Sequence, residues 1–499
     1  MSFARTLLIV LLALTAVASA AAQDQPPRRE QPVKAEVKPD TGGVLRLLPD
    51  DVRRERTVAI AGRPFTYTAT AGTLPIYDQN GDRSAAVFYT AYIAKPGEAG
   101  RPLTFVFNGG PGAASVYLHL GLAGPRIVEF GRDGYDGASA RLVDNLDTWL
   151  AFTDLVMIDP VGTGWSRTVK SDDRSFWNVS SDAASIAKVI ALYVAHNSRT
   201  ASPKYLLGES YGGFRAAKVA RALQNDQGII VSGIVMVSPM IEASYTFGSR
   251  NDALSAALQF PSLVATELDR TGTFTPQAMA EAEQFAIGEY LTTLAGPAPA
   301  GDKAAAFYGK IARMTGLKTE EVAKARGYVG SAYRAHLRAQ GVVISNYDAG
   351  FMVPDPYPGG SSFHGDLILD GFTRALSGLF VGYARDELGF KTDMSYILLN
   401  RDLRWDWGGN SGRERVGVSE DLRTLLALNP SFRLFVVHGR SDLVTSYGVT
   451  RYLLHQITPS DTPGRVQFAA YRGGHMFYFG TEARRAFTAE AKAFYQNAP

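Results

Sequence analysis

Residues 204–213, Lys204-Tyr205-Leu206-Leu207-Gly208-Glu209-Ser210-Tyr211-Gly212-Gly213, run into FRAAKVARAL, which ends at Leu223. The short apolar run up to Gly208 predicts a buried strand, and the amphipathic run after Gly213 predicts a helix. Between them Ser210 is the centre of a G-x-S-x-G pentapeptide. Its small flanking residues permit the strained strand-to-helix turn that lifts a serine hydroxyl out of a sheet. A second apolar run, IIVSGIVMVSP (229–239), follows the helix. Strand, helix and strand in that order predict a mostly parallel sheet covered on both faces.

The same rhythm extends outward. TFVFNGG (104–110) and DLVMID (154–159) are near-continuous apolar runs ending in glycine or acid, as buried central strands do. RTVAIAGRPFTYTATAGTLPIYD (56–78) and AAVFYTAYIA (85–94) alternate in short stretches, which predicts antiparallel strands opening the sheet. Residues 180–195, SSDAASIAKVIALYVA, carry helical apolar spacing, with Ser and Asp at the start as caps for the first-turn amides. From 241 to 429 the strand rhythm is lost: 275–296 and 319–341 read as helices and 354–366, PDPYPGGSSFHGD, as a turn-rich loop. The sheet resumes with FRLFVVHG (432–439) and VQFAAYRGG (466–474), and a helix near 482–495 closes the chain. The expected organisation is therefore an α/β core in two parts, 43–240 and 430–499, interrupted by a largely helical insertion, 241–429.

Of 499 residues, 51 are basic and 48 acidic, a net charge of +3 spread along the chain, which argues against a nucleic-acid surface. There is no cysteine, so disulfides, thiolate nucleophiles and Cys-ligated metals are excluded. Arg5, the apolar run TLLIVLLALTAV and the small residues ASAAAQ predict an export signal over 1–22, cleaved after Ala22 or after Ala20, so the protein is expected to be periplasmic or secreted. Residues 23–42, rich in proline and charge, read as a disordered linker. No other segment is apolar for long enough to span a bilayer, so stable membrane insertion is not expected after processing.

A serine hydroxyl is a weak nucleophile and needs a base oriented by a carboxylate. The histidines are His119, His196, His336, His364, His438, His455 and His475. His196 and His336 lie in helical runs, His364 in the turn-rich loop, and His438 ends a strand, where it orients the loop after it. His475 follows the last strand in YRGGHM and is the expected base. Asp442 follows the preceding strand in GRSD and is the expected acid. Asn108-Gly109-Gly110-Pro111-Gly112 ends an early strand, where glycines let amides approach a reacting carbonyl. The amides of Gly110 and Tyr211 are the expected oxyanion donors. Asp402–Gly409, DLRWDWGG, reads either as an aromatic pocket lining or as an ordinary packed turn. Gly162-Thr163-Gly164 lacks the third spaced glycine of a dinucleotide site, and no H-E-x-x-H occurs, so neither cofactor nor metal is expected.

Five blocks in order resemble the serine carboxypeptidase family (peptidase S10) of the α/β-hydrolase superfamily: NGGPGAAS from Asn108, NLDTWLAFTDLVMIDPVGTGWS from Asn145, GESYGG from Gly208, HGRSDLVTSYG from His438 and GGHMFY from Gly473. The order serine, acid, histidine is that superfamily's. The resemblance implies an α/β-hydrolase fold and hydrolysis of peptides with a free C-terminus through an acyl-enzyme. Ser210 is then the nucleophile, with Asp442 and His475 completing the triad. It also implies that Asn108 and Glu209 bind the substrate carboxylate, with a second glutamate about 14 residues past the asparagine. Leu122 stands there instead, a departure that implies a narrower acid preference or weaker exopeptidase recognition. The family often has cysteine where Ala113 stands. An esterase or acyltransferase on the same scaffold and a catalytically silent binding protein are the competing readings.

Overall fold

In a computed structural model, the described residues are 43–496 apart from 99, 132–135, 172, 249–251, 361–364, 409–411 and 458–463. The expected export signal and linker, His364 and the end of DLRWDWGG lie outside them. The strands in chain order are β1 (Val52–Ile60), β2 (Arg63–Tyr77), β3 (Arg83–Ala94), β4 (Leu103–Phe107), β5 (Arg126–Glu129), β6 (Arg141–Asp144) and β7 (Asp154–Ile158). They continue with β8 (Arg167–Thr168), β9 (Lys204–Glu209), β10 (Gly233–Val237), β11 (Val342–Ile344), β12 (Met352–Pro354), β13 (Arg433–Gly439) and β14 (Val466–Tyr471).

One ten-stranded sheet has the order β1-β2-β3-β7-β4-β9-β10-β13-β14, with β8 paired to β3. Strands β1 to β3 are antiparallel, and β7 joins β3 antiparallel. From β7 to β14 every pairing is parallel. The register aligns Phe107 of β4 with Gly208 of β9, and Glu209 of β9 with Val237 of β10. The C-terminal ends of these strands therefore lie along one edge, where ligands bind in open parallel sheets.

Side-chain alternation explains why every residue of β4, β7, β9, β10 and β13 is buried. Tyr205 and Leu207 enter one core with Trp149, Phe435 and Tyr495, while Leu206 enters the other with Ile186, Phe214 and Leu223. Both faces of a parallel sheet are apolar because helices cover both. The helices Val179–His196 and Tyr211–Asp226 cover one face, and Thr481–Gln496 helps to cover the other. The first of these is capped not by Ser180 or Asp182 but by Asn178, whose side chain accepts from the Ser181 amide at 2.8 Å.

Within 241–429, the helices Ala253–Thr271, Pro276–Phe285, Gly301–Thr315 and Val329–Ala339 share a separate core of Phe260, Phe285, Phe307, Ile311 and Tyr333. The run 319–341 is not one helix. It breaks at Arg326 and Gly327, both at positive φ, between Thr319–Lys324 and Val329–Ala339. The helix Ser419–Leu428 leaves the insertion altogether and packs Leu422, Leu425 and Leu426 into the sheet core that holds Phe214. Among the described residues no helix is long and apolar enough to cross a membrane.

Candidate active site

Ser210 occupies the turn between β9 and the helix Tyr211–Asp226, with φ 60° and ψ −126°. A non-glycine residue at positive φ is strained and persists only where its surroundings enforce it. Here the Ser210 amide donates to Val237 O at 2.9 Å, and its carbonyl accepts from the Gly213 amide at 2.9 Å. The turn also requires its glycines: a Cβ on Gly208 would stand 2.0 Å from Gly212 O, and one on Gly212 would stand 2.6 Å from Phe107 O.

His475 and Asp442 are brought together. Nδ1 of His475 is 2.8 Å from Asp442 Oδ2, and both side chains are essentially buried. Asp442 also accepts from the amides of Val444 (2.8 Å) and Thr445 (3.0 Å) and from the Thr445 hydroxyl (2.8 Å). Burial by itself would lower the imidazole pKa, but the charge and hydrogen bond of Asp442, joined by Glu209, outweigh it and raise it above its ordinary value. Nε2 of His475 has no hydrogen-bond partner. Ser210 and His475 line the same small cavity, about 50 Å³, with Asn108, Gly109, Gly110, Glu209 and Tyr347 among its walls. A buried imidazole with Nδ1 held by a carboxylate and Nε2 unpaired, in the wall of the cavity that a serine also lines, is suited to take up a proton there.

The Asn108–Gly112 loop packs against the serine turn so closely that a Cβ on Gly109 would lie 2.5 Å from the Tyr211 amide nitrogen. Gly110 has φ +99°. Two elements steady this loop. Arg215, 1% exposed, donates to the Asn108 carbonyl and, through Nε, to Asp182 Oδ2 at 2.6 Å. Residues 397–400 run beside the loop, with Ala114 N to Leu398 O at 2.8 Å and Asn400 N to Gly112 O at 2.8 Å.

Glu209 and Asn108 lie together in the cavity wall. The Asn108 amide donates to Glu209 Oε2, and the Tyr478 hydroxyl donates to Oε1 at 2.6 Å. Burial is the main cause that pushes the Glu209 carboxyl up to about 7, against the lowering effect of His475 and of both donors. The charge of Asp442 adds to the rise. Leu122, at the position of the second glutamate that the resemblance implies, is wholly buried in the core.

The remaining histidines are placed elsewhere. His119 is buried against Tyr92 (2.7 Å to its hydroxyl) and lowered by burial to about 3. His438 meets Thr450 Oγ1 at 2.8 Å and is lowered to about 4, chiefly by burial. His336 pairs with Glu321, while His196 and His455 are exposed. Trp405 and Trp407 pack edge-on against Tyr211, at 5.3 and 5.5 Å between ring centroids, and the cavity walls do not include them. Thr445, Tyr347 and Tyr478 were not singled out from sequence, although two of them lie inside the blocks around Asp442 and His475. Among the described residues no three His, Asp or Glu side chains are grouped as a metal would need.

The parallel sheet, the serine turn and the carboxylate-held histidine at its strand ends define a serine-hydrolase site on an α/β-hydrolase fold. A family model described as serine carboxypeptidase matches residues 64–261, the part that carries Asn108 and Ser210. Over that part the chain is similar to serine carboxypeptidases. Serine carboxypeptidase-like 42 of Arabidopsis thaliana is 24% identical over 246 residues, covering 46% of this chain and 50% of that protein. Serine carboxypeptidase-like 41 of the same plant is 28% identical over 168 residues, covering 33% and 34%. The chain thus spans between a third and a half of the length of these relatives. The fold is similar to that of a prohormone-processing carboxypeptidase from Saccharomyces cerevisiae, with a TM-score of 0.53 and 17% identity over 86% of this chain and 91% of that one.

Proposed function

We propose that this protein is a serine-type carboxypeptidase that removes C-terminal residues from peptides through an acyl-enzyme. Ser210 attacks the scissile carbonyl, His475 Nε2 takes its proton and returns it to the leaving amine, and Asp442 holds the imidazole tautomer. The amides of Gly110 and Tyr211 stabilise the oxyanion, and water then releases the acyl group by the same route. The observation that carries the exopeptidase part is Glu209, buried beside Asn108 in the wall of the Ser210 cavity with its carboxyl raised to about 7. A neutral carboxyl there donates to a substrate carboxylate where an ionised one would repel it.

Leu122 favours a second reading, an esterase or acyltransferase, because one side of the expected acid pair is apolar. Hydrolysis of a blocked dipeptide with a free C-terminus, compared with its C-terminal amide and ester, separates the two. The carboxypeptidase reading expects the free acid to be strongly preferred over the amide, and fast hydrolysis of the ester with little action on the free acid or the amide would support the esterase. The protein is further proposed to be exported, on the strength of Arg5 and the apolar run after it.

A further inference from the structure

The short turn between β11 and β12 belongs to the helical insertion, yet it reaches the strand ends that carry Asp442 and His475. Asp348 in that turn accepts from the Ser441 hydroxyl through Oδ1 at 2.6 Å and from the Gly474 amide through Oδ2 at 2.8 Å. Its Oδ1 also accepts from the Gly350 amide at 3.0 Å. One carboxylate therefore bridges the residue before Asp442 and the residue before His475.

The backbone around Asp348 makes the same two connections. On the acid side the Ala349 amide donates to Ser441 O at 3.1 Å and the Leu443 amide to Asn346 O at 3.0 Å. On the histidine side the His475 amide donates to Tyr347 O at 2.5 Å, and the Tyr347 ring stands perpendicular to the imidazole with centroids 5.2 Å apart. The approach is so close that a Cβ on Gly474 would lie 2.2 Å from Tyr347 O. The turn is itself held: Ser345 Oγ accepts from the Tyr347 and Asp348 amides and donates to Asp366 Oδ1 at 2.7 Å. Strand register runs out at Gly439 paired with Tyr471, and the two loops then meet through the Arg440 and Ser441 amides, which donate to Tyr471 O and Gly473 O, and through His475 Nδ1, which faces Asp442 Oδ2 at 2.8 Å and Thr445 Oγ1 at 3.2 Å. Beyond that point the Asp348 turn spans them.

We propose that Asp348 is a positioning residue that sets the spacing of Asp442 and His475 by holding Ser441 and Gly474 on one carboxylate. The proposal rests on the reading of Ser210, Asp442 and His475 as the catalytic triad. Misplacement of a reacting group by about 1 Å costs on the order of 100-fold in rate. Loss of the bridge should therefore act on kcat and leave substrate binding nearly intact.

The test compares kcat and KM of the full chain on a blocked dipeptide for Asp348→Ala, Asp348→Asn, Ser441→Ala and Ser210→Ala, and follows the downfield imidazole proton shared by His475 and Asp442 by NMR. Asp348→Ala should lower kcat by about 10- to 100-fold with KM within about threefold, and should shift or broaden that proton signal. Asp348→Asn keeps one acceptor oxygen and should recover part of the loss, while Ser441→Ala, which removes one arm, should lose less. Should Asp348→Ala fail to fold, Asp348→Asn and Ser441→Ala decide the matter. The proposal is overturned if the folded variants keep kcat and the proton signal of the parent. A Ser210→Ala variant that retains activity would instead show that the catalytic reading beneath it is wrong.

Discussion

Tyr478, three residues beyond His475, donates a 2.6 Å hydrogen bond to Oε1 of Glu209, the residue immediately before Ser210. The loop that carries the histidine thus also holds the side chain proposed to read the substrate carboxylate. Tyr478 and Asn108 both donate to Glu209, yet its burial outweighs them and raises the carboxyl to about 7.

The pH dependence follows from these directions. The base needs His475 neutral, so kcat/KM for free-carboxylate peptides should rise with pH through a pKa above the ordinary 6.5. It should fall as Glu209 loses its proton near 7. Glu209→Gln keeps a neutral donor and should flatten the falling limb for the peptide while changing ester hydrolysis less. Stability obeys the same sign. The folded pKa of Glu209 lies above its unfolded value of 4.5, so its contribution is fully present below 4.5 and declines as pH rises toward 7. The Tm of the parent relative to Glu209→Gln should therefore fall across that interval, as calorimetry at pH 4.5 and 7 would register.

Asp442→Asn should lower kcat by about 10³- to 10⁴-fold, because an amide nitrogen facing Nδ1 selects the wrong imidazole tautomer. Its KM should change little. Steady-state kinetics on a peptide substrate checks this, and a loss below about tenfold would remove Asp442 from the role of orienting acid.

Arg215 and Asp182 are a buried ion pair, 1% and 4% exposed. Arg215→Met leaves the Asp182 charge unpaired and should cost about 3–5 kcal/mol in urea unfolding. It also removes a donor to the Asn108 carbonyl, so kcat should drop in the surviving folded protein. Adding Asp182→Leu to that variant should restore much of the stability without restoring kcat.

Protein recovered from its native host should begin at Gln23 or within a few residues of it, as N-terminal sequencing would read. Intact Met1 on cytoplasmic protein would rule out the proposed export.

The central strands were legible because parallel strands buried on both faces leave unbroken apolar runs, as in KYLLG and FRLFVVHG. Ser210, Asp442 and His475 were legible because each follows such a run directly. What the sequence concealed depends on contacts between distant residues. Asp348 meets Gly474 across 126 positions, and Tyr478 meets Glu209 across 269, so no local pattern marks either pair. The cap of the helix Val179–His196 was misread for another reason: Asp182 looks like a first-turn acid, but its carboxylate is turned inward to Arg215, leaving Asn178 to cap. The apolar face of Ser419–Leu428 resembles that of the insertion's helices, and only its packing against the sheet core shows where it belongs.

The most direct test is to incubate a blocked tripeptide with the parent protein and with Ser210→Ala and to identify the products by mass spectrometry. The account predicts that the parent releases the single free C-terminal amino acid and that Ser210→Ala releases none above background. Release by Ser210→Ala at the parent's rate, or cleavage only at internal bonds, would contradict it.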